Sequence, residues 1–151
     1  KNEWEIASGV PHIPFEALDE NYVIDREAYL SHFRKMHRLF PKCKKMVMAV
    51  RNQIASSHHT LSGLLYDTVE DQLYTTRIYD IQPIVDPMGV GDAFVAAYIH
   101  AHQKWGDKNQ YCLDFSLSAS AIKNTIPGDQ NLVSEEEIIN NMTSSGGRIQ
   151  R

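Results

Sequence analysis

The sequence predicts an α/β fold organised as one domain over residues 1–151, on three observations. Strand-like, loop and helical segments alternate in the later part of the chain. Residues 46–50 form a short unbroken apolar run (Met-Val-Met-Ala-Val), the pattern of a strand covered on both faces. Two later segments are apolar around much of a helical circumference and should be largely buried.

Taken in order, residues 6–24 hold Gly9, Pro11 and Pro14, which break any period and leave a short helix or turns. From Asp25 the pattern changes. Tyr29, Leu30, Phe33, Met36, Leu39 and Phe40 recur at three and four, a helix with one apolar face. Asp25 suits its N-cap and Pro41 its end. A basic turn (Lys42, Lys44, Lys45) leads into the 46–50 strand. Residues 51–59 are polar and read as a loop, with His58 and His59 an exposed pair. Residues 61–66 and 72–79 read as two strands of a hairpin joined by 67–71.

A further extended segment, 81–85, runs into 86–92. One apolar helix then covers 92 to about 104, Gly106 breaks it, and a second covers 110 to about 124. A turn at 126–129 follows, and Ser134 with Glu137 forms a capping box that opens a last short helix.

Composition limits the function. Hydrophobic residues make up 42% and charged residues 23%, a globular and not a disordered balance. The formal net charge of -4 argues against broad nucleic-acid binding, which runs on basic surface. ATP is compatible with it, because a few backbone amides can hold phosphates on an acidic protein. Cys43 and Cys112 lack metal-ligand spacing and suit a reducing cytoplasm. No apolar run approaches the roughly 18 residues of a membrane span. The opening Lys1-Asn2-Glu3-Trp4-Glu5 reads as mid-protein sequence, so a fragment is expected. Trp4 and Trp105 are assigned to packing.

The chemistry concentrates in residues 86–94, Asp-Pro-Met-Gly-Val-Gly-Asp-Ala-Phe, between an extended segment and an apolar helix. Gly89 and Gly91 leave the backbone bare and open to positive φ. A helix that starts here points unpaired N–H groups and its positive dipole end outward. Two readings are open on the string alone. Either the glycines make a tight turn and Asp92 caps the helix, or the amides bind an anion and Asp92 takes a proton from a hydroxyl beside it.

The wider string Asp86-x-x-Gly89-x-Gly91-Asp92-Ala93-Phe94 resembles the signature of ribokinase-like carbohydrate kinases, the phosphofructokinase-B type. The resemblance implies a mostly parallel sheet flanked by helices, of which this chain would be the C-terminal, nucleotide-binding part. It implies Asp92 as catalytic base, and an anion hole made by Gly89, Val90, Gly91 and the Asp92 amide. Asn2-x-x-Glu5 is similar to the family's Asn-x-x-Glu motif, which implies Mg²⁺ held near Asn2 and Glu5 through water. Pro87-Met88 stand where family members often have Thr-Thr or Arg-Val, which bears on any monovalent-cation site near Asp86.

Further strings are similar to the 2-dehydro-3-deoxygluconate kinases of that family: residues 25–29, 62–66, 79–86, 125–134 and the ending 147–151. They imply ATP-dependent phosphoryl transfer to a sugar acid, with ATP and the sugar as partners and a homo-oligomer compatible. Arg51 is placed near phosphate. Leu117, Ser120, Ala121 and Asn124 lie on the helix the family uses to border adenine. The sugar pocket and lid of the family would lie upstream of this chain. A sister sugar or nucleoside kinase, and a nucleotide-binding regulator without catalysis, are the alternatives. Retention of Asp92 and both glycines favours the kinase.

Overall fold

The computed structural model describes residues 24–144. Helix α1 (Arg26–Leu39) starts where Asp25 accepts the Ala28 amide at 3.0 Å, and it buries Tyr29, Phe33 and Met36 on one face. Strand β1 (Lys45–Ala55) turns through two residues into β2 (His58–Asp67), and the pair runs antiparallel from Lys45↔Asp67 to Ala55↔His58. β3 (Gln72–Thr75) and β4 (Tyr79–Ile81) pair one after the other with the far edge of β2, both antiparallel. Helices α2 (Val90–Trp105), α3 (Asn109–Lys123) and α4 (Glu135–Thr143) complete the described part.

The result is three layers. Met46, Val50, Leu64, Tyr66 and Leu73 face α1 on one side of the sheet. Leu61, Leu65, Tyr79 and Ile81 face α2, α3 and α4 on the other. β2 is central, which is why Leu61, Leu64 and Leu65 are all buried although they divide between two faces. Each such leucine contributes about 1.5–3 kcal/mol of burial.

Two expectations are corrected here. The sheet of the described residues is antiparallel throughout, not mostly parallel. Its connections decide this: two residues between β1 and β2, and four between β2 and β3, can join only antiparallel neighbours. The polar segment 51–59 is no loop. β1 continues through it to Ala55, with Arg51 and Gln53 exposed and Val50 and Asn52 buried. A strand with one solvated face carries polar residues at period two, and in a short stretch that pattern passes for loop composition. The capping box holds: Ser134 accepts the Glu137 amide while Glu137 accepts the Ser134 amide.

Candidate functional site

The site is assembled by the segment between β4 and α2. It leaves the sheet where the Ile84 amide donates to the Ser57 carbonyl at 3.0 Å. The Val85 and Asp86 amides both donate to the Asn124 carbonyl, at 2.8 and 3.2 Å, which ties the segment to the end of α3. The Asp86 carboxylate then joins two loops. Its Oδ1 accepts the Met88 amide at 2.9 Å and its Oδ2 accepts the Gly128 amide at 2.8 Å. These two amides, Met88 first, hold the Asp86 carboxyl below the usual carboxylate range.

Gly89 is the N-cap of α2, in the left-handed region at φ 72°. A β-carbon there would run into the Asp129 carbonyl oxygen, so the position admits glycine on two grounds. Gly91 lies within the first turn of α2, where no left-handed conformation is required, and a β-carbon would meet nothing within 4 Å. The expectation of positive φ thus holds at Gly89 and fails at Gly91.

The first bond of α2 runs from the Ala93 amide to the Gly89 carbonyl at 2.8 Å. Among the described residues the amides of Gly89, Val90, Gly91 and Asp92 have no acceptor, and no side chain caps the helix. Asp92 is three residues past the N-cap, exposed, and its carboxylate has no hydrogen bond or ion pair among the described residues. The capping role for Asp92 is thereby removed. What stands at the positive end of α2 is a set of bare amides beside a bare carboxylate. The amides can hold an anion, and the carboxylate can accept a proton.

The other expected residues divide. Asn2 and Glu5 lie outside the described residues, and among those described no cluster of three His, Cys, Asp or Glu could hold a metal ion. Arg51 is exposed on β1 opposite Leu61, which in turn pairs with Tyr79, the first residue of β4. Leu117, Ser120, Ala121 and Asn124 are all buried, at 0–1% exposure. Leu117 and Ala121 belong to the core. Ser120 donates to the Val90 carbonyl at 3.0 Å and so ties α3 to the start of α2, while the Asn124 side chain donates to the Ser120 carbonyl at 3.0 Å within the same helix end.

The His58–His59 pair is not exposed. His58 is half-buried against Asp80 at 2.5 Å. His59 is buried with neither ring nitrogen partnered among the described residues, and burial first, then the charges of Arg51 and His58, push its pKa down. Sequence reasoning missed Lys123 and Asp129. The available signal for Lys123 was a lone lysine at the end of a helical stretch of small and apolar residues, Leu117 to Ile122.

No protein-family model matches the sequence, and no curated protein matches it. Solved structures do. A 2-dehydro-3-deoxygluconokinase from Thermotoga maritima is 30% identical, with a TM-score of 0.73 over 80% of this chain and 35% of that one. A PfkB-family carbohydrate kinase from Listeria grayi is 27% identical, with a TM-score of 0.71 over 83% of this chain and 36% of that one. A candidate 2-keto-3-deoxygluconate kinase from Enterococcus faecalis, 16% identical at a TM-score of 0.69, covers 93% of this chain and 38% of that one and supports the fold alone. The chain thus spans little more than a third of the length of the structures it matches. Within that span, it has the fold of the PfkB-family, ribokinase-like carbohydrate kinases.

Proposed function

We propose that this chain is the nucleotide-binding and catalytic part of an ATP-dependent sugar-acid kinase, with 2-dehydro-3-deoxygluconate as the acceptor. The observation that carries the reading is the Asp92 carboxylate beside the amides of 89–92, all without a partner among the described residues. The substrate rests on the likeness to the Thermotoga maritima enzyme and on the strings at 25–29, 79–86 and 125–134.

In the reaction proposed, a hydroxyl oxygen of the sugar acid forms a bond to the γ-phosphorus of ATP. The bond from that phosphorus to the bridging oxygen breaks, and ADP leaves with its electron pair. The hydroxyl proton passes to the Asp92 carboxylate. The amides of 89–92 face the charge that gathers on the transferring group, and as backbone they need no reorganisation to do so. Mg²⁺ would neutralise the phosphates, with Asn2 and Glu5 the residues the resemblance gives it. Arg51 is the phosphate contact that the resemblance gives. Ser120, bonded to the Val90 carbonyl, serves by fixing the start of α2.

Val95 and Ile99 follow Asp92 along one side of α2 and are half exposed. An apolar stripe beside the base fits a surface completed by other residues of the intact protein, including those that hold the sugar. The chain alone is therefore expected to lack turnover. Catalysis needs hydroxyl and phosphoryl group held together, a term of about 7–11 kcal/mol that half a site forfeits.

The test is ADP release by the intact protein with ribose, fructose, fructose 6-phosphate, adenosine and 2-dehydro-3-deoxygluconate in parallel. Preference for the keto-deoxy acid supports the reading. Preference for another sugar moves the protein to a sister activity, and nucleotide binding without turnover on any of them replaces the kinase with a regulator.

A further inference from the structure

Lys123 is the last residue of α3, and its side chain is wholly buried, at 0% exposure. Lysine is among the residue types least often found there, because an ammonium removed from water needs negative partners. Its surroundings supply them without a contact ion pair. Nζ donates to the Ile126 carbonyl at 3.0 Å, in the turn that leads to Gly128 and Asp129. The negative end of the α3 dipole lies at the same point. Two residues beyond the Ile126 carbonyl that Lys123 holds, the Gly128 amide donates to Asp86 Oδ2, and the Asn124 carbonyl next to Lys123 accepts the Asp86 amide, so ammonium and carboxylate lie on the same short turn. After the Met88 and Gly128 amides, the charge of Lys123 also favours the Asp86 carboxylate.

This arrangement answers an electrostatic difficulty. The Asp86 carboxylate bonds the amide of Met88, the residue just before Gly89. A negative charge so near the bare amides of 89–92 opposes any anion they would bind. A fixed positive charge behind Asp86 offsets that opposition. The same lysine holds the 126–129 turn, and that turn presses Asp129 against Gly89.

We propose that Lys123 is a built-in cation of the anion site, which neutralises Asp86 and braces the 126–129 turn, so that the site needs no bound monovalent cation. The proposal rests on the phosphate-binding reading of residues 89–92. Lys123 is a positioning residue: buried, it acts through Asp86 and the turn.

The experiment measures MgATP affinity of the intact protein in tetramethylammonium, sodium, potassium and ammonium salts at one ionic strength. Wild type is expected to bind equally in all four. Lys123→Ala should bind about tenfold or more weakly in tetramethylammonium, the scale of a unit charge removed at short range. It should recover in ammonium or potassium, which fit the vacated space. Lys123→Met, which fills that space without charge, should be weak in every salt. Loss of packing alone would not produce cation-dependent recovery.

Potassium-dependent binding by the wild type overturns the proposal, as does wild-type affinity of Lys123→Ala in tetramethylammonium. If both variants fail to fold, the wild-type salt series still decides. Absence of ATP binding by the wild type in any salt overturns the phosphate-site reading and this proposal together. Potassium-dependent binding overturns this proposal alone.

Discussion

The carbonyl of Asp129 stands against the α-carbon of Gly89, so the start of α2 and the 126–129 turn touch backbone to backbone. Asp86 closes the same contact from the other side through the Gly128 amide. The amides of 89–92 are therefore framed by two stretches distant in sequence, the 86–89 segment and the 126–129 turn. Four predictions follow from this frame and from the packing behind it.

The two glycines should separate stability from binding. Gly89→Ala meets both a clash and a left-handed backbone, and should destabilise the protein by more than about 1 kcal/mol. Gly91→Ala meets neither and should leave stability unchanged or raise it by about 0.4–1 kcal/mol. Its methyl group nonetheless enters the open space before the amides, so ATP should bind more weakly. Urea unfolding and nucleotide titration of both variants check this. Equal stability losses would remove the distinction drawn between the two positions.

Asp92→Asn preserves shape and removes the proton acceptor. In the intact protein kcat should fall by roughly 10²–10⁴, the range of general-base catalysis. ATP affinity should hardly change, because the amides are untouched. Steady-state kinetics with an ADP-coupled assay is the measurement. A variant with near wild-type kcat would take Asp92 out of the mechanism.

Acid stability should depend on the Arg34–Asp71–Tyr66 group. Arg34 grips Asp71 with two bonds at 2.9 and 2.6 Å, and the Tyr66 hydroxyl adds a third at 2.6 Å. Arg34 first, then Tyr66, holds the Asp71 carboxyl down to about 2 from 3.8. A carboxyl depressed in the folded state stabilises above its unfolded pKa and loses that contribution as pH falls through the folded one. Arg34→Gln should therefore be less stable than wild type at neutral pH, with the gap closing between about pH 4 and pH 2. Denaturant melts across that range test the sign. A gap that widens as pH falls contradicts it.

Tyr98 carries a hydroxyl that is buried without a partner among the described residues, and burial lifts its pKa to about 12. An unsatisfied buried polar group costs about 1–3 kcal/mol, so Tyr98→Phe should be as stable as wild type or more so. A phenol raised in the folded state stabilises below its unfolded pKa near 10, and that contribution is lost as pH rises towards 12. The wild type should lose more stability through that alkaline window than the Phe variant. Thermal melts at neutral and alkaline pH give the answer, and a large destabilisation of Tyr98→Phe at neutral pH would count against it.

The sequence by itself determined the elements whose signal is local. The period of Tyr29, Phe33 and Met36 together with the Asp25 cap defined α1, and Ser134 with Glu137 defined the start of α4. Residues 86–94 singled out the candidate site and Asp92 within it, because glycine spacing at a helix start is a property of a few adjacent residues. Tertiary structure decided the rest. Strand direction followed from which edges pair, and a polar edge strand at 51–55 cannot be told from a loop until its partner is seen. Gly89 and Gly91 look alike in the string, and only the approach of Asp129 distinguishes them. Asp92 could have capped its helix; that it does not depends on where α2 begins. The helical stretch before Lys123 hinted at its burial, but its place beside the 126–129 turn is set by segments that meet only once the fold closes.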